Sequence, residues 1–395
     1  GFFNKGLTLL NQIDNEKEKT DFLNEIAKIY RAKGDYGKAI EYYYQALNIS
    51  ENFNDINGIA LTNLNLGNVY IDLGQFKKGI ELLNNALDLY EQVGFKKGVA
   101  KTKSSLGGVY KEKKDFAQSI KLYKEALIIQ KKLKELDGMA TSFGNLGEIF
   151  LLQNNRDLEA ARDSLEKAVR IKPTLAEARH LLASINGKTP KSAPKAYVKE
   201  LFDEYAPKFE QSLVKALEYN APKELAKIIT AKQPIEALGS VLDLGCGTGL
   251  AGVELKQFCS NLEGIDLSNA MIEQARSKNV YDRLTQSDIL DYLSTAELDF
   301  DYFIATDVFI YVGELTNVFH LIKSRNKRKG HLAFSTEHTE RESFFLETSG
   351  RYSHSLSYIE GLCKKIDCRI SHFTKTDLRK EKDGFLVGGL YVVDF

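Results

Sequence analysis

Apolar positions follow two rhythms along this chain, and the change falls near residue 190. Ahead of it, self-comparison gives a period of about 40 residues, the mark of a repeat architecture. Small residues recur at Ala27, Gly67, Gly107 and Gly147, each with an aromatic three positions on at Tyr30, Tyr70, Tyr110 and Phe150. A second small residue follows at Ala46, Ala86 and Ala126, and at Ala168 after a slightly longer turn. Turn-forming pairs divide each unit at Gly34-Asp35, Gly74-Gln75, Lys114-Asp115 and Asn154-Asn155. Each unit therefore reads as a helical hairpin, its small residues letting two helices close up while the aromatic fills the space beside them. Gly6 stands one period before Ala46, so residues 1–14 read as the second helix of an incomplete preceding unit, and 174–186 as a closing helix. The chain opens at Gly1 inside that helical pattern, and we expect a further portion ahead of it.

Gly187–Lys195 holds two prolines, a glycine, a serine and three lysines, with no apolar periodicity. It reads as a short linker with solvated lysines. Tyr197, Leu201, Tyr205, Phe209, Leu213 and Leu217 then restore a helical step through 196–231, interrupted by Pro207. This segment is either a helix packed on a sheet or a lid in which Tyr205 or Phe209 closes over a ligand. Beyond it the pattern alternates. Strands are predicted at 240–244, 262–266, 284–287, 300–305 and 331–336. Helices are predicted at 250–259, 269–277, 289–294, 313–324 and 354–366. Two final strands, near 368–373 and 386–393, follow without an intervening helix and should pair antiparallel across a charged connection, Lys375–Asp383. The expected architecture is an all-α repeat solenoid over 1–186, a linker over 187–195, and an α/β domain over 196–395 with a mostly parallel, seven-stranded sheet.

Composition narrows the function classes. Lys+Arg and Asp+Glu are equal at 54 each, so no basic excess points to nucleic acid or an anionic membrane. No apolar run approaches the roughly 20 residues that span a bilayer. Cys246, Cys259, Cys363 and Cys368 are too few and too scattered for a disulfide framework, and no second Cys or His pair completes a zinc pattern. A reducing cytoplasm fits, and no metal is expected.

The candidate chemistry starts at Val241-Leu242-Asp243-Leu244-Gly245-Cys246-Gly247-Thr248-Gly249-Leu250, a strand running through a glycine turn into a helix start. Glycines there allow a sharp bend and the close approach of a ligand, and a helix start offers unpaired N–H groups. Gly247-Thr248-Gly249-Leu250-Ala251-Gly252 matches G-x-G-x-x-G, and Asp266 follows near the distance expected of a ribose-binding acid; taken alone these support a dinucleotide. Asp243 argues otherwise, because a carboxylate at the strand end repels phosphate and welcomes a ligand carrying ammonium and sulfonium. Gly264-Ile265-Asp266-Leu267-Ser268 ends the second strand with an acid placed for two ribose hydroxyls. Gln286-Ser287-Asp288-Ile289 ends the third with an acid for an adenine amine, although Asp288 equally suits a helix N-cap.

These strand ends resemble the class I S-adenosylmethionine-dependent methyltransferases. The helical units resemble tetratricopeptide repeats, with the long-helix spacing of kinesin light chains and with Pro173 at the family's usual proline. The combination is similar to bacterial tetratricopeptide-repeat methyltransferases, whose aromatic Asp-x-Tyr-Ala-Pro segment resembles Asp203–Pro207. The resemblance implies S-adenosylmethionine as cofactor. Gly245, Cys246, Gly247 and Gly249 would approach its methionine part, and Asp243 would support the ammonium. Asp266 would hold the ribose, Asp288 and Ile289 would flank the adenine, and Leu267 and Tyr205 would also contact the cofactor. The resemblance further implies a peptide- or protein-binding groove, with Asn65, Ser105 and Asn145 at the positions of groove asparagines; a solvated polar face is the plain alternative.

Chemistry belongs at the ends of the fourth and fifth strands, Ala305-Thr306-Asp307-Val308 and Ser335-Thr336-Glu337-His338. The Asp/Asn-Pro-Pro-Tyr/Phe tetrapeptide of amino-nucleobase methyltransferases is absent, which disfavours a DNA or RNA adenine acceptor. His354 is the leading base candidate because a neutral imidazole suits neutral pH, followed by Asp307 and Glu337. A helix-start cap is the alternative for His354, and cofactor orientation the alternative for Asp307. The reading is a cytoplasmic methyltransferase whose repeats hold a protein or peptide. Its rivals are a non-catalytic interaction protein that binds cofactor, and a small-molecule O- or N-methyltransferase whose repeats serve assembly.

Overall fold

The computed structural model describes residues 16–153, 156–231, 237–381 and 384–395. The helix expected over 1–14 and the Asn154-Asn155 turn lie outside them. The chain divides into two compact units, 1–182 and 183–395.

In the first unit the helices are α1 (Glu16–Ala32), α2 (Tyr36–Asn52), α3 (Ile56–Asp72), α4 (Phe76–Gln92), α5 (Lys96–Glu112), α6 (Phe116–Leu133), α7 (Leu136–Leu152), α8 (Leu158–Ile171) and α9 (Ala176–Ile185). In each turn from α1 to α7 one residue flips to the left-handed region: Gly34, Asn54, Gly74, Gly94, Lys114 and Lys134. The next amide then reaches back into the helix it has just left, as from Asp35 to the Tyr30 carbonyl (2.9 Å) and from Gln75 to that of Tyr70 (2.8 Å). These bonds satisfy carbonyls that the helix end would orphan. Asp35, Asp115 and Asp157 cap the following helices through the amides of Lys38, Gln118 and Ala160. The small residues fall at the helix crossings. A Cβ on Gly147 would stand 2.5 Å from Leu165 Cγ, and one on Gly79 2.4 Å from Ile71 Cδ1.

The second unit opens with α10 (Lys195–Tyr205), a 3-10 turn at Ala206–Lys208 containing Pro207, a π-helical turn at Glu210–Ala216, and α11 (Ala221–Thr230). The stretch expected as a free linker is partly docked. Ala193 donates to the Tyr311 carbonyl (2.9 Å) and Glu314 to that of Lys191 (2.8 Å).

The strands are β1 (Gly239–Leu244), β2 (Cys259–Asp266), β3 (Arg283–Gln286), β4 (Tyr302–Ala305), β5 (His331–His338), β6 (Phe344–Leu346), β7 (Tyr352–His354), β8 (Arg369–Glu381) and β9 (Gly384–Asp394). They run β3-β2-β1-β4-β5 in parallel, with β9 antiparallel on β5 and β8 on β9. The helices are α12 (Leu250–Leu255), α13 (Asn269–Ser277), α14 (Ile289–Thr295), α15 (Thr316–Arg325) and α16 (Leu356–Ile366). Neighbouring residues of β1 point to opposite faces: Leu242 and Leu244 join one core with Phe319 and Leu362, while Val241 joins the other with Leu225 and Leu255.

The seven expected strands all form, and two short ones join them: β7 extends the end of β5, and β6 pairs with β7. Among the boundaries that differ from expectation, two bear on the site. The segment Tyr352–His354, whose last residue was expected to begin the final helix, is strand. The charged connection Lys375–Asp383 is, through Glu381, part of β8. Apart from Arg379, its charges lie on the solvated side of an edge strand, where such residues discourage further pairing.

Candidate functional site

The strand order reverses at β1, which pairs with both β2 and β4, and open α/β sheets bind ligands at that switch point. The turn after β1 holds Gly245, Gly247 and Gly249 at φ of 72°, 53° and 88°. Alternate left-handed residues are what glycine supplies without strain. A Cβ at Gly245 would strike Val308 Cγ2 at 2.5 Å, whereas one at Gly247 meets nothing within 4 Å. The turn is thus closed against the β4 loop and open above Gly247. The helix behind it, α12, has only 6 residues.

Asp243 is fully buried. Its Oδ2 accepts from the Tyr281 hydroxyl at 2.6 Å, and its Oδ1 has no hydrogen-bond partner among the described residues. Burial pushes its pKa up to about 7. Gly252, the third glycine of the apparent dinucleotide fingerprint, serves Tyr281: its Cβ would lie 2.4 Å from that ring. Cys246 is buried beside Ile272, Ala275 and Tyr281, and burial raises its thiol well above the usual range.

At the end of β2, Asp266 accepts from the amides of Gly247 (2.9 Å) and Ser268 (2.8 Å). Burial nevertheless lifts its pKa to about 6. Each of its oxygens keeps a second acceptor site for a hydroxyl. The carbonyl of the next residue, Leu267, accepts from the Gln286 side chain (3.2 Å). Asp288 caps α14 through the amides of Leu290 (3.0 Å) and Asp291 (3.2 Å), with Ile289 as the first helical residue. Lys195 also contacts Asp288 at 3.0 Å.

The aromatic segment divides into two parts. Its second half, α11, packs on the sheet, and its first half crosses the strand-end loops. Asp203 accepts from Ser268 (2.6 Å), Gln274 donates to the Ala206 carbonyl (2.8 Å), and Lys278 pairs with Glu210 (2.5 Å). Tyr205 is half-buried, edge-on to Phe209 at 5.6 Å between ring centroids.

The ends of β4 and β5 meet in an ion-pair network of which sequence reasoning finds only part. Asp307, at φ 54°, donates its amide to the Ser335 hydroxyl at 2.8 Å and pairs through its carboxylate with Arg379 at 2.5 Å. Arg379 also holds Glu337 (2.7 Å), which is bound in turn by Arg351, itself paired with Glu381 at 2.9 Å. Burial lifts the Glu337 carboxyl above its ordinary range, against the pull of the two guanidiniums. Arg379 points inward because a β-bulge between Asp377 and Arg379 turns both it and Leu378 toward the core. Gly388 makes room for Leu378, since a Cβ there would lie 2.2 Å from Leu378 Cδ1. Tyr219 and Tyr311 lie within electrostatic reach of this cluster, and Tyr219 reaches Asp243 as well.

His354 requires a correction. It lies fully buried in β7, its Nε2 donating to the Gly313 carbonyl at 2.9 Å, and burial pushes its pKa down to about 4. The cap of α16 is Ser355. A histidine so placed is a core residue rather than a base facing a substrate. Asn65 is likewise buried and donates to Asn24 (2.9 Å), which donates to Thr62 (3.1 Å). It clasps α1 to α3 rather than lining an open face. Asn145 is half-buried, donating to the Thr141 carbonyl (3.0 Å) and accepting from Lys111 (3.1 Å), and Ser105 is half-buried between them in sequence.

Residues 235–375 match the family model described as a methyltransferase domain. Residues 20–92 and 98–174 match that of the tetratricopeptide repeat. Human methyltransferase-like protein 27 is 35% identical over 86 residues, 21% of this chain and 35% of that protein. The match therefore spans about a third of that relative's length. Among solved structures, BtubC of P. vanneervenii aligns at 22% identity over 44% of this chain and 75% of that one, with a TM-score of 0.39. An S-adenosylmethionine-dependent methyltransferase of Clostridium acetobutylicum aligns at 18% identity over 51% and 99%, with a TM-score of 0.36. By the two family models the chain carries tetratricopeptide repeats followed by a methyltransferase domain.

Proposed function

We propose that the second unit binds S-adenosylmethionine over the glycine turn and methylates an acceptor at the ends of β4 and β5, while the repeats recruit a protein that is, or carries, the acceptor. The observation that carries the reading is the buried Asp243, whose unpartnered Oδ1 lies beside a glycine turn with free space above Gly247. The residues present fit the cofactor: an unmatched acceptor for an ammonium, a backbone without Cβ atoms in the way, and Asp266 with acceptor sites left for a ribose diol. When bound, the cofactor supplies an electrophilic methyl on a sulfonium, which leaves as a thioether.

The chain's own residues bind and align. Asp243 would hold the ammonium and Asp266 the ribose, Asp288 and Ile289 would flank the base, and Tyr205 would cover the ligand from the α10 side. Val308 closes the turn toward Asp307. Alignment and exclusion of water supply much of the acceleration in such a displacement. Asp307 orients the acceptor, held by Arg379 and Ser335, and Glu337 is committed to two arginines. A proton on the acceptor leaves to Asp307 or to water. Among the described residues no helix is long and apolar enough to cross a membrane. We assign the reaction to the cytoplasm, a reading supported by four cysteines that all stand as free thiols.

A second reading, a scaffold that binds cofactor without turnover, draws on the closure of the acceptor end by ion pairs. One experiment separates them. Lysate incubated with the full-length protein and methyl-labelled S-adenosylmethionine should show labelled acceptor, lost with Asp266→Ala and reduced with Ser105→Arg on the repeats. Labelling unaffected by Asp266→Ala contradicts the site. Cofactor binding without any labelling favours the scaffold.

A further inference from the structure

Tyr281 reaches Asp243 through a gap that three glycines leave. A Cβ on Gly252 would stand 2.4 Å from its Cζ, one on Gly264 2.9 Å from Cε1, and one on Gly249 3.1 Å from Cε2. These glycines come from α12, from β2 and from the turn itself, so the ring is locked from three elements. Its hydroxyl donates to Asp243 Oδ2 at 2.6 Å. Oδ1 of the same carboxylate, which has no solvent exposure, lacks any partner among the described residues. A buried acceptor left unmade is costly until a donor reaches it.

We infer that Tyr281 is a positioning residue for the cofactor, pinning Asp243 Oδ2 so that Oδ1 is presented as a carboxylate oxygen to the ammonium of the ligand's methionine portion. This rests on the S-adenosylmethionine reading above. The groups that face Asp243 electrostatically are Tyr281, Asp266, Cys246, Cys259 and Tyr219. None of them is a cation. The phenol is the one group of this set that stabilises the carboxylate charge, and burial with Asp243 beside it keeps that phenol protonated. The ligand's ammonium is therefore the counter-charge the site lacks. Burial holds Asp243 up to about 7 and Asp266 up to about 6. A ligand with an ammonium must then bind more weakly as pH falls below 7, because Asp243 takes up a proton. An adenosine ligand without one responds to Asp266 alone.

The test is isothermal titration of the full-length protein between pH 5.5 and 8 with S-adenosylhomocysteine, which carries the ammonium, and with methylthioadenosine, which does not. In the wild type, affinity for the first should fall about tenfold per pH unit below 7, and affinity for the second only below about 6. Tyr281→Phe removes the donated bond and should move the upper inflection upward by about one pH unit, leaving the methylthioadenosine curve in place. Asp243→Asn should abolish that inflection. A Tyr281→Phe profile superimposed on the wild type overturns the positioning role, as does a wild-type S-adenosylhomocysteine profile parallel to that of methylthioadenosine. Should neither ligand bind the wild type at any pH, the cofactor reading itself falls and the inference with it.

Discussion

Arg379 bonds two carboxylates at once, that of Glu337 nearly inaccessible to water and that of Asp307 12% exposed. Arg379→Met would leave Asp307 and Glu337 without that partner in the interior, a loss on the order of 3–5 kcal/mol when a buried pair is broken from one side. Chemical denaturation should report it, and a cost below about 1 kcal/mol would mean that solvent or Arg351 compensates. Asp243 makes a prediction of the opposite kind. Its carboxyl titrates near 7 in the fold and near the ordinary aspartate value when unfolded. The native state therefore binds more protons between those values, and stability of the ligand-free protein falls as pH rises from about 4 to about 7. Asp243→Asn should flatten that slope in thermal melts; an unchanged slope would place the titration elsewhere. At this scale the sequence announces residues whose spacing carries the geometry: the alternating glycines, Asp243, and Asp266. Tyr281 and Arg379 stay hidden because their partners stand 38 and 72 positions away and no local pattern links them. His354 misleads for a related reason, since residue type advertises basicity while only packing reveals that burial removes it.

Elements are legible wherever one face is buried and periodic. The repeats declare themselves because every unit solves the same packing problem with the same small residues. Gly147→Leu would force a branched side chain into Leu165, and we expect destabilisation of about 1–3 kcal/mol from overpacking, read by denaturant titration. The β8–β9 hairpin is harder to read. Its charged edge side hides the alternation, and its bulge places Leu378 and Arg379 inward in succession, which no two-residue period anticipates. Gly388→Val should push Leu378 out of its place and loosen the strand that carries Arg379. Amide exchange in 376–381 should then quicken ahead of exchange in β1; equal protection in variant and wild type would show that the bulge accommodates a side chain. The short strands β6 and β7 leave no signal because so few residues fall below what periodicity resolves.

Across the whole molecule, a neutral charge balance and two compact units leave the division of labour to the sites themselves. The repeats contribute many polar residues on their first helices, several already engaged with each other as Asn24, Asn65 and Thr62 are. Ser105, by contrast, remains half-exposed. In the proposed reading the methyltransferase unit would hold its methyl donor near its own switch point, and the ends of β4 and β5 are bordered by charges and tyrosines. That the turn after β1 holds S-adenosylmethionine is tested by isothermal titration of the full-length protein with S-adenosylmethionine at pH 8. We expect one site per chain, with binding largely lost in Asp266→Ala; no heat in the wild type, or the same isotherm in Asp266→Ala, would overturn the assignment.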